Sequence, residues 1–274
     1  MATRITKLII ASLVLSFCGV GYAQTKPTPR EILNGMVAQY KTLSSYQDAG
    51  EAVVAQAEPK IARLRGIAFQ NPPRAGETLV SYRTYFARPK LFRFDWKSSR
   101  TDARYASVWS DGKKNYEWVP GLAIRDGSFR LNSYDHLDLM IVEAERSSAG
   151  AVYPLISMFI KEANMVTSFA DILDMATDLA FVKEEPVDGE MCYVVNANLS
   201  GAPWTLWIAK QRKIIRKTRT VYSYGSFDES VETGVRKLFV AEETRRDIKI
   251  NEPISKDVFT YRPMLRAGDF DLTR

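Results

Sequence analysis

Cysteine and histidine are almost missing from this 274-residue chain, which has two of the first and one of the second. Cys18 falls in the leader described below, so Cys192 alone remains after it and no intramolecular disulfide can form. Flanked by Met191 and Tyr193-Val194-Val195, Cys192 reads as a small buried hydrophobe. A single histidine leaves little material for nucleophilic or acid–base chemistry. There is no G-x-S-x-G elbow, no P-loop and no glycine-rich dinucleotide fingerprint. Asp135-His136-x-Asp138 offers three possible metal ligands in four residues. On a helix, however, the two acids share a face and His136 points elsewhere, so no metal is expected. Asp171, Asp174 and Asp178 read as a solvated helix face. No catalytic residue and no cofactor are therefore expected, and a hydrolase centred on His136 is the residual enzymatic reading. No β-α-β alternation and no fixed-period repeat occurs, and no long apolar run follows the first one.

What the chain does have begins with MATRITKLIIASLVLSFCGVGYAQ. Arg4 and Lys7 precede an apolar run, and Gly21-Tyr22-Ala23 supplies small residues where a signal peptidase reads. Residues 1–23 are thus predicted to be a signal peptide, with cleavage before Gln24 and a periplasmic destination. Cys18 follows Phe17 rather than a small residue, which disfavours lipid attachment there. The formal charge is +6, of which Arg4 and Lys7 carry two, too mild for a nucleic-acid signature. Basic residues are densest from Lys210 to Arg219. That run reads as a solvated edge strand, or more sharply as a surface attracted to anionic lipid or an acidic partner.

Residues 28–43 spell an amphipathic helix, with Thr28 as cap, Pro29 in the first turn and Glu31 three residues on. Ile32, Met36, Val37 and Tyr40 share its face. A strand follows from Tyr46, and 57–77 reads as a long basic connection with Pro72-Pro73. Strands are expected at Thr78 to Ala87, Leu91 to Trp96, Tyr105 to Trp109 and Asn115 to Val119, with a hairpin at Asp111-Gly112. Residues 133–176 switch to helical period: one helix marked by Leu137, Met140, Ile141 and Ala144, then Pro154 to Ala163 and Ser168 to Met175. Strands resume at Leu179, pair about Asp188-Gly189, and continue at Trp204 to Ile208, Ile214 to Tyr224 and Val235 to Ile250. The tail, 251–269, is irregular apart from a turn at Ser255 to Phe259. One α+β domain over 24–274 follows, a curved antiparallel sheet carrying helices on one side, with 133–176 as a helical insertion.

Five Trp, thirteen Tyr and thirteen Phe supply large apolar rings, many at alternate strand positions. A sheet bent around such a face can be a filled core or a cavity for acyl chains.

TYFARPKLFRFDW (Thr84 to Trp96) and VWSDGKKNYEWVPG (Val108 to Gly121) resemble two hairpins of the LolA/LolB superfamily of periplasmic lipoprotein carriers. ILNGMVAQYKTLSSYQ (Ile32 to Gln47) is similar to the helix and first strand that open its mature domain. Trp204 to Tyr222 and Asn251 to Tyr261 match more loosely, and within the superfamily the chain resembles a group of predicted periplasmic proteins of unknown function. The resemblance implies an incomplete antiparallel β-barrel, wrapped around a hydrophobic groove and covered by short helices. By analogy it implies a non-catalytic, monomeric binder of a lipid-like ligand or lipoprotein, in transient contact with membrane surfaces. Phe92, Phe94, Trp96, Trp109 and Trp118 are the expected cavity wall. Met158, Phe159, Met165 and Phe169 are the expected lid, since soft side chains repack around variable ligands. The alternative is an envelope sensor or interaction module that binds a protein partner through an edge strand or the 210–219 surface.

Overall fold

The computed structural model describes residues 26–57, 78–99, 105–120, 129–137, 140, 141, 144, 148, 153–159, 168–224 and 237–260. The expected leader, most of the 57–77 connection and Met165 lie outside them. Helix α1 (Pro29–Thr42) starts with a complete capping box between Thr28 and Glu31 and buries Ile32, Leu33, Met36 and Tyr40. Its C-terminal carbonyls are met by Arg88, whose Nε donates to Leu43 O (2.7 Å) and Nη2 to Lys41 O (2.8 Å). A guanidinium placed there satisfies orphan carbonyls and sits favourably at the negative end of the helix dipole.

Eleven strands follow: β1 (Ser45–Ala57), β2 (Thr78–Ala87), β3 (Leu91–Ser98), β4 (Tyr105–Asp111), β5 (Asn115–Pro120), β6 (Phe129–Tyr134), β7 (Thr177–Val187), β8 (Glu190–Leu199), β9 (Ala202–Ala209), β10 (Ile215–Tyr224) and β11 (Lys237–Ile250). They form one sheet in the order β6-β5-β4-β3-β2-β1-β11-β10-β9-β8-β7. Every pair is antiparallel. Two meanders thus run outwards from a central seam where β1 meets β11. Among the described residues the sheet does not close, and β6 and β7 are its free edges. Asp188 (φ 47°) and Gly189 (φ 78°) both take the left-handed backbone that a two-residue hairpin between β7 and β8 requires.

Because β6 and β7 are opposite edges, the chain between them must cross the sheet. It does so in order. Leu137, Met140, Ile141 and Ala144 are buried in one cluster with Val80, Tyr82, Phe92, Phe94, Trp96, Ala106 and Val108 of β2–β4. Helix α2 (Tyr153–Phe159) comes next, its Phe159 ring 4.4 Å from Phe86 of β2 and 5.2 Å from Tyr46 of β1. Helix α3 (Phe169–Asp174) follows, with Phe169 5.4 Å from Trp204 of β9. A second apolar cluster gathers α1, α2 and α3 against β8–β10. On the other face, a 3-10 turn (Lys256–Phe259) lies against β3, where Arg93 Nη1 donates to Val258 O (3.0 Å).

The basic run 210–219 is not on an edge. β10 lies inside the sheet between β9 and β11, and acids meet its cations: Lys210 with Glu184, Arg212 with Glu190, Arg216 with Asp188, Lys217 with Glu242. Antiparallel pairing to acidic strands neutralises what the linear sequence shows as a positive patch.

Candidate functional site

The face of the N-terminal meander that buries Leu137, Met140, Ile141 and Ala144 is built by strand alternation. Phe92, Phe94 and Trp96 point to it from β3, and their cross-strand partners Phe86, Thr84 and Tyr82 continue it into β2. Tyr82 stacks on Phe94 (5.4 Å), and Phe94 lies 5.3 Å from Trp96. All five rings are within 1% of complete burial.

The same face changes character at the seam. Asp48 and Gly50 of β1 stand opposite Thr84 and Tyr82 of β2, while Gly50 and Ala52 face Arg245 and Glu243 of β11. Arg245 is 1% exposed and bridges two buried acids, donating from Nη1 to Asp48 Oδ2 (2.7 Å) and from Nη2 to Glu243 Oε1. Tyr46 OH donates to Asp48 Oδ2 (2.7 Å), Tyr82 OH to Glu243 Oε1 (2.5 Å), and Thr218 Oγ1 lies 3.4 Å from Glu243 Oε2. The Arg245 guanidinium also sits 5.3 Å from the centre of the Tyr82 ring. Ion cluster and aromatic row are therefore continuous. Burial raises the Glu243 pKa above the ordinary carboxylate value, opposed by Arg245 and by the tyrosine hydroxyl. Burial likewise raises the Tyr82 and Tyr46 hydroxyls, keeping them protonated as donors.

Gly50 makes this geometry possible. A Cβ there would lie 2.2 Å from the Tyr82 hydroxyl and 2.8 Å from Thr244 O, so only glycine lets Tyr82 reach across β1 to Glu243.

Of the five expected wall residues, Phe92, Phe94 and Trp96 come together. Trp109 and Trp118 do not join them. Trp109 pairs with Arg93 and Tyr116, and Trp118 with Ser107, which places both rings on the opposite face. There Trp109 stacks on Tyr116 at 5.1 Å. Met158, Phe159 and Phe169 belong to the other apolar cluster, where Phe159 stacks on Phe86, and they do not share the cluster that covers Phe92, Phe94 and Trp96. Leu137, Met140, Ile141, Ala144 and Ile156 do.

Asp48, Glu243 and Arg245 carry no linear signal: Glu243 and Arg245 stand among the charges of β11, Glu242, Arg246, Asp247 and Lys249, and nothing in the string marks them as buried. The ladder that unites them joins residues 197 apart. Asp135 and His136 are exposed, and Asp171 is engaged in the Ser168 capping box. Among the described residues no three His, Cys, Asp or Glu side chains gather as a metal site. Burial pushes the Cys192 thiol up to about 11, away from reactivity.

No family model and no curated protein matches the chain. Solved structures do. The Mycobacterium tuberculosis lipoprotein LppX matches at 13% identity over 84% of this chain and 98% of its own, with a TM-score of 0.43. A DUF1329 family protein from Desulfovibrio piger matches at 13% identity over 85% and 96%, with a TM-score of 0.34. A LolA superfamily protein from Nitrosomonas europaea matches at 11% identity over 86% and 99%, with a TM-score of 0.30. The chain is similar to LolA-superfamily structures.

Proposed function

We propose that the chain is an exported, monomeric, non-catalytic protein of the cell envelope. It holds an acyl chain or similar lipid-like group on the helix-covered face of a half-barrel sheet. The observation that carries this reading is the Tyr82–Phe94–Trp96 row, roofed by one crossing segment that enters from the β6 edge. Phe92, Phe94 and Trp96 form the wall, and Leu137, Met140, Ile141 and Ile156 are the side chains a ligand displaces. Fully burying one such apolar side chain is worth about 1.5–3 kcal/mol, so uncovering four or five costs roughly 10 kcal/mol. A dodecyl chain returns a similar amount at ~0.8 kcal/mol per methylene. Near balance between roof and ligand is what reversible loading needs.

Native mass spectrometry of the mature chain, Gln24 to Arg274, purified after export, tests the proposal. Solvent-extractable acyl species bound to the protein are the expected result. A clean apo mass that takes up no added dodecyl amphiphile would overturn it. Binding of a partner strand at the free β7 edge would then be the better reading, since much of that strand is exposed.

A further inference from the structure

Three side-chain polar atoms on the covered face are sealed from solvent and have no hydrogen-bond partner: Asp48 Oδ1, Thr84 Oγ1 and Trp96 Nε1. They are neighbours by register. Asp48 faces Thr84, Thr84 faces Phe94, and Trp96 faces Tyr82. The segment that spans this row is α2, whose sequence YPLISMF carries no charge. Its Ile156 packs with the Tyr82–Phe94–Trp96 cluster, and its Leu155, Met158 and Phe159 pack with Tyr46 and Phe86. An apolar helix over a carboxylate oxygen removes water and returns no donor. The buried carboxylate of Glu117, four strands away on β5, is served differently, by Asn132 Nδ2 (2.9 Å) and Tyr134 OH (2.6 Å).

We infer that Asp48 and Thr84 form a polar subsite for the head group of the ligand, and that the head is a hydrogen-bond donor without negative charge. This rests on the lipid-binding reading above and adds the chemistry of the head. Asp48 Oδ1 accepts only, and the Thr84 hydroxyl completes a pair that an alcohol, amide or ammonium group satisfies. A carboxylate or phosphate head would find a donor in Trp96 Nε1 but no cation to balance its charge. The one cation of the cluster, Arg245, already bridges Asp48 and Glu243, and Tyr46 OH and Tyr82 OH donate to those same acids. Two acids against one arginine leave no positive charge for an anion. The aromatic row then receives the tail, because Tyr82 touches both Arg245 and Phe94.

The test is competition for the mature chain at pH 8. Dodecan-1-ol, dodecylamine, dodecanoate and dodecyl phosphate each displace N-phenyl-1-naphthylamine, with native chain and Thr84→Val compared. The alcohol and amine are expected to bind about tenfold more tightly than the two anions, the scale of one buried hydrogen bond to a charged group. Thr84→Val, which removes an unpartnered hydroxyl at constant shape, should reduce that preference without abolishing it, since Asp48 Oδ1 remains to accept, while raising the melting temperature of the free protein. Dodecanoate binding should stay unchanged. Equal binding of all four heads, or preference for an anion, overturns the head-group assignment and leaves lipid binding standing. Failure of all four to bind overturns both. If Thr84→Val does not fold by tryptophan emission, Asp48→Asn makes the same comparison, with the preference expected to turn towards dodecanoate.

Discussion

Gly50 shows how one residue without a side chain holds a charged cluster together. Tyr82 starts on β2 and Glu243 on β11, with β1 between them, and the hydroxyl passes over Gly50 to close a 2.5 Å bond. Gly50→Ala pushes a methyl into both that hydroxyl and a backbone carbonyl, and the carbonyl cannot rotate away. The expected cost is on the order of 1–3 kcal/mol, the range of overpacking in a close-packed core. A urea melt measures it, and Tyr82→Phe should not rescue Gly50→Ala, because the ring carbon Cζ, 2.3 Å from the added Cβ, remains. A single variant as stable as the native chain would show that Tyr82 does not cross there. The physics is visible in the fold and invisible in the string, where Gly50 is one glycine among fifteen.

At the scale of elements, local signals were legible and pairing was not. The capping box of α1 and the turn glycines at Gly112 and Gly189 depend on residues within a few positions, so they read directly from sequence. The Arg88-Pro89 turn also read correctly as a turn, but its role did not. Arg88 reaches back to the carbonyls of Tyr40, Lys41 and Leu43, more than forty residues earlier, and so ties the β2–β3 hairpin to the end of α1. Arg88→Ala should lower stability by about 1 kcal/mol, since an exposed charge-assisted contact gives the lower end of the usual range. Arg88→Lys should recover only part, because one ammonium cannot fork across three carbonyls. Unchanged denaturation midpoints in both variants would remove the contact from the account of α1. The same dependence on partners explains two of the sequence readings that the pairing revises. Lys210 to Arg219 read as an exposed positive edge because the acids that pair with it lie on β7, β8, β11 and the β7–β8 turn. Trp109 and Trp118 read as wall because alternation gives two faces to every strand, and only the pairing with β3 says which face is covered.

For the whole molecule, the sheet order makes the middle of the fold the meeting point of distant sequence. β1 pairs with β2 on one side and β11 on the other, so neither meander is complete without the seam. Pulling the seam apart breaks the β1–β11 ladder and strips Arg245 from Asp48, an uncompensated buried charge that costs several kcal/mol. Peeling β6 or β7 breaks one ladder only, at an edge already open to solvent. Opening should therefore proceed from both outer edges inwards, with the seam last. Native-state hydrogen exchange in rising denaturant reads this order directly. Amides of β6 and β7 are expected to exchange through low-energy local openings, those of β5 and β8 next, and those of β1 and β11 only through global unfolding. Arg245→Met, which leaves Asp48 and Glu243 buried without a cation, should bring the seam amides down towards the edge values. If the seam instead exchanges below the global limit in the native chain, the two meanders open as separate units, and the ion cluster is a hinge between them rather than a lock.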